Sequence, residues 1–370
     1  MNPIRNPSNM SFTAKSMKLT IAKIANPLQK TISTQDILEK LACFPIGDVS
    51  SVKDEPKVGF AGWRHMQAAI DETNCIVGGH LRFQFVIASR SVPASILRDE
   101  CRRAELAYMQ ANNTGAVPSK ERKRIKLETR DRLLMSFPVS KKGIEIAIDS
   151  KTSNVFIDST SAKDVEGIYL LFFRATSLEI VPVSLNMMEK ISKDQVKPLS
   201  INSNKSEFST ATIPDFLTWF WYYTEETGGK LDGKEYESMV EGPLTMRSDS
   251  HEPTGAMVAT LRNGGLPQVS SEAKAALLIG KKLVKCRIVI AKSKQVWDGN
   301  FNADAFSFSG LGLPEGDATS SEDRFIEAIE SLDEFSKVIQ LYFDKFIKDS
   351  NEKESFEDDL NAWAKERKAL

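Results

Sequence analysis

Apolar and polar positions alternate in two periods along this chain, and the switches between them mark out its elements. Met17–Ala25 alternates as a strand, and Thr34–Phe44 follows with Ile37, Leu38, Leu41 and Ala42 at helical spacing. A loop rich in Gly, Asp and Ser leads to Val58–Trp63, and Leu81–Ala88 is the clearest strand of the first hundred residues. Ser95–Asn112 reads as a helix with Leu97, Cys101, Ala104 and Tyr108 on one stripe. Asn112–Gly115 breaks it, and Pro118–Ser119 opens a second helix running to about Met135. That second helix offers only Ile125 and Leu127 for burial over its first turns, so it is expected to project into solvent or face a charged partner. The pair reads as an antiparallel helical arm.

Two short strands follow, Ile144–Ile148 and Asn154–Asp158, joined by the tight turn Ser150–Ser153. Ala162–Ala175 is an amphipathic helix carrying Val165, Ile168 and Phe172, and Leu178–Leu185 returns as a strand. The polar stretch Asn202–Ser209 suggests a boundary. Beyond it, Pro214–Glu225 is an aromatic-dense helix with Pro in a permitted first-turn position. Ala256–Leu261 reads as a strand, Ser270–Ile279 as a helix ended by Gly280, and Lys281–Ala291 as a strand with bases on alternate positions. Ser320–Ile347 is a long amphipathic helix opened by Ser320 and Asp323, spaced as a capping-box variant. The last twenty residues are mostly polar, with Phe356 and Trp363 able to dock. The expected class is α+β, in two mixed α/β units. Residues 11–190 form the first, with the basic helical arm at 93–142; residues 191–349 form the second, and 350–370 a polar tail.

Composition agrees with a globular chain: of 370 residues, 41% are hydrophobic and 27% charged. No apolar run reaches the length of a membrane span, and Met1–Met10 lacks an apolar signal core, so a cytoplasmic protein is expected. Cys43, Cys75, Cys101 and Cys286 are widely spaced, and His65, His80 and His251 are scattered. Reduced thiols, no metal set and no cofactor are therefore expected. A net charge of −1 conceals strong segregation. Lys120–Lys142 holds nine bases against three acids, Arg262–Lys294 eight against one, and Glu315 to the C-terminus eight against sixteen.

Chemistry-bearing motifs are sparse. Gly280–Lys281 lacks the remaining residues of a phosphate-binding loop, and the glycines of Gly310–Gly316 read as an ordinary turn. Asp149 and Lys151, with Asp158 as the second carboxylate, resemble half of a magnesium-dependent nuclease site. Lys120, Arg122, Lys123, Arg124, Lys126 and Arg130 form a stronger signal, because each phosphate they neutralise releases counterions without reading sequence. Arg262, Lys274, Lys281, Lys282, Lys285 and Arg287 make a second basic set that could line the same groove. Trp219, Trp221, Tyr222 and Tyr223 could stack on bases, but their helical spacing favours a core role.

An ordered series of segments resembles the RdgC family of recombination-associated proteins. It comprises Gly62-Trp63, Leu133-Leu134 through Phe137, Ala147–Asp149, Phe156–Asp158, Ser161–Lys163, Val181–Leu185 and the Gly280-Lys281 step. The resemblance implies a non-enzymatic homodimeric ring whose basic hole encircles double-stranded DNA, without sequence preference, and limits access of the RecA recombinase. Single-stranded DNA is a further partner to consider, and a nucleoid location follows. The family's Arg-x-Phe at ring closure falls here at Ser136-Phe137-Pro138, leaving Phe137 as the closure residue without the arginine. A Lys-Gln pair falls near Arg262-Asn263, where one charge remains. The alternatives are the magnesium-dependent nuclease on Asp149, Lys151 and Asp158, and an interaction scaffold using the acidic C-terminal segment.

Overall fold

The structure, a computed structural model, describes residues 11–25, 33–183, 196–201, 211–231, 233–248, 257–261, 271–352 and 355–366. After a 3-10 turn at Ser11–Thr13 come β1 (Ser16–Ala25), α1 (Thr34–Leu41), β2 (Lys57–Gly62), α2 (Glu72–Cys75), β3 (Ile76–Val77) and β4 (His80–Ser89). Next are α3 (Ala94–Asn112), α4 (Ser119–Leu134), β5 (Ser140–Ile148), β6 (Asn154–Ile157), α5 (Ala162–Thr176) and β7 (Glu179–Pro182). The chain continues through α6 (Ile213–Thr227), β8 (Tyr236–Ser248), β9 (Val258–Leu261), α7 (Ser271–Leu278) and β10 (Lys281–Lys292). It closes with β11 (Gln295–Asn302), β12 (Ser307–Gly312), α8 (Ser321–Glu352) and α9 (Phe356–Lys365). The class is mixed α/β with antiparallel pairing. The polar stretch 202–209, Arg262, Asn263, His251 and the end of the expected strand at 184–185 lie outside the described residues.

Two compact units interleave along the chain. Ser33–Ile76 and Arg82–Glu145 make the smaller; Met1–Ile32, Val77–Leu81 and Ile146–Leu370 make the larger.

In the smaller unit β2, β4 and β5 lie in that order, and Ile46, Val49, Val52, Ala61, Val86 and Ala88 form a core. Ser33 caps α1 by accepting from the Asp36 N–H at 3.4 Å, and Ile37, Leu38 and Leu41 turn inward, as their spacing predicts. Arg82 is fully buried, paired with Glu145 and lying 4.1 Å over the Trp63 ring.

In the larger unit β1 is paired on both edges, with β6 on one side and with β12 and then β7 on the other. The ladder continues from β12 through β11, β10 and β8 to β9. Gly310, expected to lie in an ordinary turn, belongs instead to β12. Its φ of +65° absorbs the extra residue where the register shifts between Met17 and Lys18. β11 was hidden by Asp298-Gly299-Asn300, which reads as a turn. The glycine is needed for packing instead, because a Cβ there would lie 3.1 Å from Leu311 Cα.

Helices α6 and α8 supply the aromatic core of this unit. α6 opens with Thr212 and Asp215 in a capping box, and Pro214 to Thr224 are all buried. Trp219, Trp221, Tyr222 and Tyr223 are therefore core residues, unavailable to bases. Phe216 meets Phe343 at 3.9 Å and Phe220 meets Tyr342 at 4.9 Å. The predicted cap of α8 is formed, with Ser320 Oγ accepting from the Asp323 N–H at 3.0 Å. Part of the expected polar tail is α9, whose Phe356, Leu360, Trp363 and Ala364 are buried. The acidic segment is thus largely the outer face of two helices.

Trp363 ties α9 down. Its indole N–H donates to Glu225 at 2.8 Å, Trp221 donates to the same carboxylate at 2.7 Å, and buried Lys274 completes the pair at 3.3 Å. Trp363→Ala should lower stability by about 3–5 kcal/mol, since it opens a cavity and strips a donor from a buried carboxylate. Urea unfolding of the larger unit's signal measures this; a loss below about 1 kcal/mol would show that α9 is not integral to the core.

Candidate nucleic-acid interface

The basic helices form a hairpin inside the smaller unit. α3 ends on Asn113 in the left-handed region, with the Thr114 N–H bonded to Met109 O, and α4 starts directly after Pro118. Arg122 pairs with Glu105 at 3.4 Å and Arg132 with Glu100 at 3.1 Å, so positions rise along one helix as they fall along the other. The two helices are antiparallel. α3 buries no residue, and α4 buries Ile125, Thr129 and Leu134. Leu127, expected inside with Ile125, is 56% exposed.

The arginines of α4 are largely committed. Arg124 bridges Glu121 at 2.7 Å and Glu128 at 3.5 Å, and Arg130 reaches Asp54 at 2.6 Å. Glu121 beside Arg124 pushes its guanidinium pKa upward. Lys120, Lys123 and Lys126 differ: all three are exposed, and none makes an ion pair among the described residues. Spaced by three, they run along one side of the helix with their charge unspent. Phe137 is half-buried just beyond α4, its N–H bonded to Leu134 O.

The second basic set is mostly internal. Lys281 and Lys282 are each only 6% exposed, and Lys282 is bound to Asp215 at 2.7 Å, so neither presents its charge to a phosphate. Lys274 is buried against Glu225, while Arg287 pairs with Glu241 and Asp298. Lys285 is exposed and remains open to an anion. Charge counts along the strand did not reveal these partners because the acids come from β8, β11 and α6.

The nuclease triad does not assemble. Asp149 N–H bonds to Asn154 O opposite it, and Asp158 lies four residues beyond Asn154, just past the end of β6. At roughly 3.3 Å per residue the two carboxylates are about 13 Å apart along the strand, too far to share a magnesium ion. Asp149 is fully buried and accepts from the Lys151 N–H at 3.1 Å, the Thr152 N–H at 3.0 Å and the Thr152 hydroxyl. Lys151 itself points to solvent. Among the described residues no group of three or more His, Cys, Asp or Glu is arranged to hold a metal.

Sequence reading missed the partner of that turn, Asp333 of α8. It accepts from Asn154 Nδ2 at 3.0 Å and faces Thr152 Oγ1 at 3.4 Å, tying the β5–β6 turn to the helix. Burial pushes the Asp333 pKa up to about 6, and the neighbouring Asp149 carboxylate adds to the rise. Burial acts the same way on Asp149, but hydrogen bonds from Thr152 and Lys151 outweigh it and hold that group below the usual range. No local motif signals Asp333, which is 184 residues from Asp149 in the chain (333 − 149).

Residues 18–193 match the family model described as "Putative exonuclease, RdgC". Over that stretch the chain is RdgC-like. The RdgC-like stretch contains α3, α4, Phe137 and the β5–β6 turn, and it supports a recombination-related role. No curated protein matches the chain. Among the described residues no helix is long and apolar enough to cross a membrane.

The raised Asp333 pKa has a definite sign. Its folded form holds a proton more tightly than the unfolded chain, so this group's contribution to stability is present at low pH and lost as pH rises from about 4 to about 6. Asp333→Asn should therefore be more stable than the parent by about 1 kcal/mol near pH 7.5, the figure being discounted for partial exposure. The advantage should vanish near pH 4. Paired thermal melts at the two pH values test it; an equal difference at both would refute the assignment.

Proposed function

We propose that this protein binds DNA through backbone charge on α4, without reading sequence, and acts by occupying duplex rather than cutting it. Lys120, Lys123 and Lys126 carry the reading: three exposed ammonium groups with no carboxylate partner among the described residues, inside the RdgC-like stretch. Such groups release condensed counterions when they meet phosphates, so affinity is bought with salt sensitivity and not with base contacts. Arg122, Arg124 and Arg130 belong to the same helix but must exchange an existing carboxylate for a phosphate, so their net contribution is smaller. Lys285 adds a further exposed charge in the larger unit.

The likeness to RdgC extends the proposal to a homodimer that closes around the duplex, with Phe137 near the closure, and competes with a RecA-type recombinase. A nucleoid location accompanies it. In this reading specificity lies in the shape and charge of duplex DNA, and regulation in how many rings compete with the filament.

Binding to two unrelated duplexes, measured from about 50 to 200 mM salt, should fall steeply and equally. Replacing Lys120, Lys123 and Lys126 together with Ala should reduce the log–log salt slope by about 3 if each lysine engages one phosphate. Magnesium should leave the DNA intact. Sequence preference, an unchanged slope or degradation of the DNA would each overturn the reading.

A further inference from the structure

The larger unit contains a cavity of about 710 Å³ that the proposed DNA-binding role does not use. It lies among β1, the β5–β6 turn, the start of β8, the end of β10 and α8. Ile21, Phe306, Ile339 and Phe343 give it apolar walls. The volume falls within the roughly 300–1,000 Å³ of small-molecule sites, far beyond a packing defect.

The charges on these walls are unbalanced. Lys23, Lys234, Lys292 and Lys337 line the cavity against Glu235 and Glu334, a net of +2 (four minus two). Lys292 is spent on Glu334 at 2.7 Å, and the Tyr236 hydroxyl donates to the same carboxylate. Lys23 makes no ion pair among the described residues. Lys337 acts on Asp333 and Glu334 through space, without pairing with either. On the same wall, Ser336 Oγ is buried with no hydrogen-bond partner among the described residues.

Phe306 holds its place on the wall in a strained backbone conformation. Its φ of +43° lies in the left-handed region, which a bulky side chain rarely adopts. Its ring is held by Phe301 at 5.3 Å and by stacking on Phe343 at 5.9 Å. Strain of this kind persists where the surroundings impose it, and here it fixes an aromatic wall of the cavity.

We propose that this cavity binds a small amphiphilic anion, its apolar body against Phe306, Ile339 and Phe343 and its acidic head met by Lys23 and Lys337. Apolar walls alone would accept any greasy molecule, whereas unpaired lysines favour one bearing a carboxylate, sulfonate or phosphate. The site is independent of α4, so its loss and the loss of DNA binding are separable.

The full chain is titrated with 8-anilinonaphthalene-1-sulfonate, followed by fluorescence, and with its uncharged analogue N-phenyl-1-naphthylamine. The sulfonate should saturate one site per chain, and the uncharged analogue should bind at least about tenfold more weakly. Lys23→Gln combined with Lys337→Gln should weaken the sulfonate by about tenfold while leaving the uncharged analogue and DNA affinity unchanged. Gln340→Trp, which fills the cavity, should weaken both dyes. On the unaltered protein, which needs no variant to fold, decanoate should displace the sulfonate dye and decyltrimethylammonium should not. Equal affinity for the two dyes, indifference to both variants, or failure of decanoate to compete would overturn the proposal.

Discussion

Strand β1 must satisfy hydrogen bonds on both of its edges, and much of the larger unit follows from how it does so. Thr20 opposes Ser307 on one side and Ile157 on the other, while its hydroxyl donates to Ser159 O at 2.6 Å. A strand with two partners has no edge to expose, so β6, β7 and β12 must come to it from more than a hundred residues away. The same arrangement sets Ile21 and Lys23 on the wall of the cavity and brings the β5–β6 turn to α8. The cavity and the Asp149–Asp333 contact are thus products of one pairing constraint.

Charge in this molecule is governed by partners more than by numbers. The α4 helix and the strand β10 look alike as basic stretches, yet their lysines have opposite fates. Lys282 is drawn into the interior by Asp215, the capping residue of α6, because a buried ammonium persists only when it is paired and hydrogen-bonded. Lys120, Lys123 and Lys126 have acids nearby on the same hairpin, but the arginines take them: the guanidinium fork holds two carboxylates at once where an ammonium is a single point. Helix α4 therefore presents lysine charge outward, while Arg122, Arg124, Arg130 and Arg132 hold carboxylates.

Much of the fold was legible in the primary structure. The helices at Thr34, Ala94, Ser119, Ala162, Ile213, Ser271 and Ser321 announced themselves through spacing and caps, and β1, β4, β5, β6 and β10 through alternation. β8 and β11 were not legible. The first carries Gly242-Pro243 in its middle and the second Asp298-Gly299-Asn300, and both dipeptide patterns ordinarily mark turns. Neighbouring strands overrode those local preferences by supplying a complete ladder, with β10 pairing to both. Of the candidate interface, the basic helix was found at once, but which of its charges are unspent was not.

Local order along the chain determined the helix periods, the caps at Ser33, Thr212 and Ser320, and the concentration of bases on one polar helix, since these depend on residues within a few positions of one another. Tertiary structure decided what depends on distant partners: that Lys281 and Lys282 are interior, that the turn carrying Asp149 meets Asp333 and not Asp158, and that Phe306 and the lysines line one cavity. The physical reason is reach. Hydrogen bonds, ion pairs and packing act over a few ångströms of space, and only folding says which residues lie within them.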